Sequence, residues 1–114
     1  MATTLKYVIK YVGNMDEAIK FHEETLMLKL RFRSPHWTEF ETGETTLALH
    51  PATAENAAGS CQVGFGVGDV QAFFAQHSAK GVRFTSTPTL VYGQHVAALL
   101  DGDGAGVRVS GDRA

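Results

Sequence analysis

The chain is poor in the residues that mark several common classes of protein. Its one cysteine, Cys61, has no second thiol to pair with, so an internal disulfide is excluded, and neither a CxxC pair nor a Cys/His zinc cluster can be built around it. No run of Lys or Arg occurs, and the formal net charge is -2, so the patch that would neutralise a phosphate backbone is missing. Nucleic acid is therefore not an expected partner. No apolar stretch approaches the length of a membrane span, and the N-terminus lacks the basic segment and apolar run of a signal peptide; the chain reads as cytoplasmic, with no membrane association. What remains is ordinary for a globular protein: 114 residues, 44% hydrophobic and 19% charged, enough for one domain with a small core.

Within that length one pattern is written twice. Apolar residues ending at Val12 lead through Gly13 to Asn14 and into a helical period, and 55 positions later Val67, Gly68 and Asp69 repeat the grammar, with Val8 falling on Val63. Asn14 and Asp69 are both side chains that accept from the free N–H groups of a first helical turn, and Glu17 completes a capping-box spacing with Asn14. Two copies, each about half the chain, indicate a duplicated βα module and not a solenoid.

Strand alternation over Leu5 to Val12 puts Tyr7, Ile9 and Tyr11 on one face and Val8 and Val12 on the other. Helical spacing follows from Met15 through Ala18, Ile19 and His22 to Leu26. Extended segments are predicted over Leu28 to Ser34, His36 to Thr42 and Thr45 to His50, the last with Leu47 and Leu49 opposed to Thr46, Ala48 and His50. Pro51 to Gly59 has no apolar period and holds the linker, set at residues 53–60 between a first module over 1–52 and a second over 61–114. The second module is predicted as a strand over Cys61 to Val67, a helix from Asp69 to Lys80 stopped by Gly81, a strand over Val82 to Thr85, a loop over Ser86 to Gly93, and strands over Gln94 to Leu100 and Val107 to Ser110. Each half is thus βαβββ, an α+β arrangement.

Two such modules, with Val12, Met15, Ala18 and Phe21 in the first helix region, Phe40, Gly43, Leu47 and Leu49 in the first hairpin, Gly81, Val82 and Phe84 after the second helix, and the Asp101–Gly104 turn, resemble the vicinal oxygen chelate superfamily of glyoxalases, bleomycin-resistance proteins and extradiol dioxygenases. The chain departs from the family pattern at Gly102, where Pro is usual, at Ala105, where Asn is common, and at Met27, where the first helix usually ends in Gly. The resemblance implies curved mixed sheets that enclose a cavity, a homodimer, and chemistry on the faces away from the helices. It also implies a divalent metal held by His and Glu at positions that here are Tyr7, Ala48, Gln62 and Arg108. Ala48 has no donor, Gln is a weak one and Arg108 is a permanent cation, so the expectation is no metal and no cofactor.

The nearest likeness in kind is therefore to the metal-free bleomycin-resistance proteins, which sequester a small organic molecule. Tyr7, Trp37, His50, Gln62, Tyr92, His95 and Arg108 are the candidate ligand-binding residues, with Arg108 favouring an anionic group. The alternative is a lyase, isomerase or dioxygenase using an atypical metal site around His50 and His95, or metal-free acid–base chemistry by His50 and Tyr7. Other signals read as structure. His22 and His77 sit at apolar helical positions, as core histidines do. His22, Glu23 and Glu24 lack the second His of HExxH, because Leu26 stands there. Gly64, Gly66 and Gly68 lack the spacing of a dinucleotide fingerprint, Asp101 and Asp103 lack the remaining ligands of a calcium loop, and Cys61 has no basic neighbour to activate it.

Overall fold

A computed structural model describes residues 3–111 and divides the chain into two compact units, one spanning Lys6–Gln62 and the other built mainly from Val63 onward. The division falls inside a strand, just beyond the expected linker. In the first unit β1 (Thr4–Val12) runs into α1 (Met15–Lys20), then β2 (Lys29–Phe32), β3 (Thr38–Glu41) and β4 (Thr46–Pro51). The strand order is β2-β3-β4-β1, with β1 and β4 parallel and the other pairs antiparallel. The second unit repeats this with β5 (Cys61–Gly66), α2 (Val70–Ala79), β6 (Phe84–Val91), β7 (Gln94–Leu100) and β8 (Gly106–Gly111), in the order β5-β8-β7-β6. The fold is α+β with two βαβββ modules, and none of the described helices is long and apolar enough to cross a membrane.

The repeat holds at atomic detail. Asn14 Oδ1 accepts from the Glu17 amide at 3.0 Å and Asp69 Oδ1 from the Ala72 amide at 2.9 Å, each residue with φ near -137°. Period-2 alternation then sorts the strand residues. Val12, Phe40 and Leu49 are buried with Ile19 beneath α1, while Ile9, Tyr11 and Ala48 form a separate buried cluster with Tyr7 and Trp37. In the second unit Val70, Ala97 and Val109 are buried with Phe65, Phe73 and Leu99 on the α2 side. Full burial of a side chain such as Ile19 or Leu49 contributes about 2 kcal/mol, so the stripe facing the helix carries the stability of each unit.

Two elements differ from expectation. The helix predicted through Leu26 is α-helical only to Lys20 and continues as a π-helical turn over Phe21–Thr25, closed by a bond from the Leu26 amide to the Phe21 carbonyl at 3.2 Å. His22 accounts for much of this. Its ring is buried, stacks on Phe40 and donates from Nδ1 to the Ala18 carbonyl at 2.7 Å, competing with the backbone ladder for that acceptor. The second difference is β6, which begins at Phe84, not Val82, and runs through the expected loop to Val91. Pro88 reads as a loop residue, yet β6 lies at the edge of its sheet, where a residue without an N–H is tolerated, and its pairing with β7 shifts register twice.

Candidate functional site

The helix-free face of the first unit brings four rings together. Tyr7 and Tyr11 project from β1 on the same side as Ile9, and register places Thr46 beside Tyr7, Ala48 beside Ile9 and His50 beside Tyr11. Trp37 enters from the segment before β3. Tyr7 and Trp37 meet edge-on with centroids 6.0 Å apart, Trp37 and His50 at 6.4 Å, and Tyr11 and His50 at 5.3 Å. Such perpendicular contacts set the positive edge of one ring against the negative face of the next.

Polar bonds fix the orientation of these rings. His50 Nδ1 lies 2.7 Å from the Pro51 carbonyl oxygen, which can only accept, so the proton is on Nδ1 and a neutral His50 carries its lone pair on Nε2. Tyr11 donates its hydroxyl to Gln62 Oε1 at 3.1 Å. Trp37 Nε1 donates to Glu39 Oε2 at 2.7 Å, while Glu39 Oε1 accepts from Arg31 Nε and Nη2 at 3.1 and 3.0 Å. Arg31 Nη2 also reaches Thr46 Oγ1, so one chain of charge-assisted bonds crosses β2, β3 and β4. The Trp37 backbone is held too, through Ser34 Oγ, which accepts from the Trp37 amide and donates to its carbonyl.

Of the residues singled out in the sequence, the face thus unites Tyr7, Trp37, His50 and Gln62. The other three belong to the second unit. Tyr92 is 91% exposed at the tip of the β6–β7 hairpin, in a two-residue turn with Gly93 where both φ angles are positive. Arg108 lies on β8 of the second unit, on the face turned away from α2, since its neighbour Val109 packs under that helix. His95 pairs with Gly111 on the opposite side from Arg108, sharing parity with Ala97 and Leu99. Glu39 and Arg31 were not found from sequence; the signal was the Trp37-x-Glu39 spacing, which puts both residues on the face opposite Thr38 and Phe40. A separate groove of about 610 Å³, lined by Asn14, Met15, Asp16, Arg33, Ser34 and Pro35, holds an exposed Arg33–Asp16 ion pair and none of the ring residues.

Residues 4–109 match the Glyoxalase/Bleomycin resistance protein/Dioxygenase superfamily, and the chain belongs to that family. It is 32% identical over 104 residues to an uncharacterised protein of Mycolicibacterium smegmatis, covering 90% of this chain and 89% of that protein. Among solved structures it resembles hypothetical protein BH1468 from Bacillus halodurans C-125, with a TM-score of 0.84 at 16% identity over 100% of this chain and 97% of that one. It also resembles Streptomyces coelicolor methylmalonyl-CoA epimerase (S115T) in complex with 2-nitronate-propionyl-CoA, with a TM-score of 0.77 at 18% identity over 99% of this chain and 97% of that one. At these identities the structural likeness is one of fold.

The metal that the family implies does not fit the residues present. Ala48 is fully buried and offers no donor atom, and Arg108 is a cation, so two of the four family positions cannot ligate a divalent ion. Among the described residues no group of three or more His, Cys, Asp or Glu side chains is placed to hold one.

Proposed function

We propose that the chain is a metal-free small-molecule-binding protein of the glyoxalase/bleomycin-resistance type, which holds a flat organic ligand against the ring-lined face of its first unit. The observation that carries this reading is the cluster of Tyr7, Tyr11, Trp37 and His50, whose indole and imidazole are each fixed by a hydrogen bond at 2.7 Å on a face no helix covers. Rings already held in place lose little freedom when a ligand stacks on them, which is how preorganisation strengthens binding. His50 Nε2 supplies an acceptor to orient the ligand. The homodimer expected from family architecture is retained as part of the proposal; a monomer in sedimentation at micromolar concentration would remove it.

Trp37 is the only tryptophan, so its emission reports on this face alone. Titration with a panel of flat aromatic compounds and antibiotics is expected to quench it saturably with at least one of them, and His50→Ala to weaken that binding about tenfold. Emission that no compound changes would refute the reading.

A second reading, an enzyme of lyase or isomerase type, is favoured by one feature: the Pro51 carbonyl holds His50 in the tautomer that a general base requires. His50 Nε2 would then remove a proton from the bound molecule. Deuterium exchange into a bound compound, abolished in His50→Gln while Trp37 quenching persists, would put this reading ahead of the first.

A further inference from the structure

The groove of about 610 Å³ formed by Asn14, Met15 and Asp16 with Arg33, Ser34 and Pro35 has a use of its own. Its volume falls within the roughly 300–1,000 Å³ of small-molecule sites. One wall, the connection from β2 to β3, is held by its own bonds. Ser34 Oγ accepts from the Trp37 and His36 amides at 2.9 and 3.3 Å and donates to the Trp37 carbonyl at 2.8 Å, and Thr38 Oγ1 donates to the Ser34 carbonyl at 3.2 Å. Ser34 thus shapes the wall and has no bond left for a ligand. Met15, half-buried against the core, and Pro35 supply the apolar part of the lining.

The polar part is a pair of opposite charges. Arg33 Nη2 donates to Asp16 Oδ1 at 2.8 Å, with the two side chains 51% and 85% exposed. An ion pair so exposed adds little to stability, so a ligand parts it at low cost. Among the described residues this contact uses one of the five N–H donors of Arg33 and leaves Asp16 Oδ2 without a donor. Asn14 Oδ1 is taken by the Glu17 amide, so Asn14 offers the groove its NH₂. From this we infer that the groove binds a zwitterionic α-amino acid with an apolar side chain. Its carboxylate lies on Arg33, its ammonium on Asp16, and its side chain against Met15 and Pro35. A simple anion would take Arg33 and leave Asp16 without a counter-charge, and a simple cation would strand Arg33; a zwitterion answers both. The two protein charges are in contact, so the ligand must carry its own charges equally close together. Amino and carboxylate groups on one carbon do so, whereas the ends of a peptide do not. The carboxylate also matches the arginine fork, replacing one bond with two. No backbone N–H of α1 is used, and none of the ring residues takes part.

The test is titration of the full chain with leucine, with 4-methylpentanoate, which lacks the ammonium, and with 3-methylbutylamine, which lacks the carboxylate, followed through amide resonances. Leucine is expected to shift Asn14, Asp16 and Arg33 saturably and to bind about tenfold or more tightly than either analogue. Asp16→Asn should weaken leucine to the level of 4-methylpentanoate, and Arg33→Gln should weaken it to the level of the amine. Both residues are exposed, so each variant is expected to keep the remaining spectrum in place. No saturable shift at the groove with leucine, leucine no tighter than both analogues, or leucine binding unaltered in either variant would each overturn the assignment. The readout excludes Trp37 emission, so failure here is distinct from failure of the ring-face reading.

Discussion

The Glu39 carboxylate and the Pro51 carbonyl act alike on their rings. Each takes the one N–H that would otherwise let the ring choose among orientations. Glu39 does so as a bridge, since the Arg31 that neutralises it is anchored on Thr46, two strands away from β2. Replacing it with Leu frees the indole and strands the guanidinium. The side chain is 29% exposed, so the expected cost is at the lower end for a charge-assisted bond, about 1 kcal/mol, read as a lower urea midpoint. Trp37 emission in Glu39→Leu should also broaden and shift to the red, whereas Glu39→Gln keeps an acceptor for the indole and should shift it less. Emission unchanged in both variants would mean that packing, not Glu39, positions the ring.

At the scale of elements, two turns use the wrong residue for their backbone. Among the described residues Met27 and Tyr92 are the non-glycine positions with positive φ, at 58° and 48°, and they are 83% and 91% exposed, so neither side chain returns packing energy. A left-handed residue with a Cβ costs roughly 1 kcal/mol. Met27→Gly and Tyr92→Gly are therefore each expected to raise the melting temperature by a few degrees, about 1 kcal/mol less the entropy that glycine adds to the unfolded chain. Tyr92→Gly should leave ligand quenching of Trp37 unaltered. The paired N-caps give the opposite sign: Asn14→Ala and Asp69→Ala should each lose about 1 kcal/mol of unfolding free energy. A loss at only one cap would show that the repeat is not equivalent in energy.

The same elements show where sequence was sufficient. The caps, the Gly81 stop with φ of 93°, and the alternation on β1 and β4 were all legible, because each depends on residues within a few positions of one another. The π-helical turn was not, since it depends on His22 finding Phe40 across the sheet. Nor was the length of β6, because Pro88 signals a loop locally and only its place at a sheet edge admits it to a strand. In the candidate site, strand alternation puts Tyr7 with Tyr11 and His50 with Ala48 from sequence, while the interest of Tyr7, Gln62 and His50 came from the family resemblance. Glu39 and Arg31 were missed because an acidic and a basic residue on short strands read as solvent-facing until their mutual contact is seen.

In the whole molecule the duplication has preserved the scaffold and changed the faces. The 55-residue offset carries Ile9 to Gly64 and Tyr11 to Gly66, and strand register carries Ala48 to Arg108 and His50 to Ser110, so positions that hold rings and a methyl group in one unit hold glycines, a guanidinium and a hydroxyl in the other. Donor chemistry at these positions bears directly on metal dependence. A divalent ion needs several anionic or imidazole donors, and a methyl group with a guanidinium among four candidates makes binding there unfavourable. The expected outcome is that exhaustive dialysis against a chelator changes neither the melting temperature nor the ligand-dependent quenching of Trp37, and that added zinc, manganese or nickel restores nothing because nothing was lost. A bound ion at one per chain in elemental analysis, together with a fall in melting temperature on its removal, would show that donors outside the family positions have assembled a site, and His50, with its Nε2 lone pair, would be the first residue to substitute in search of it.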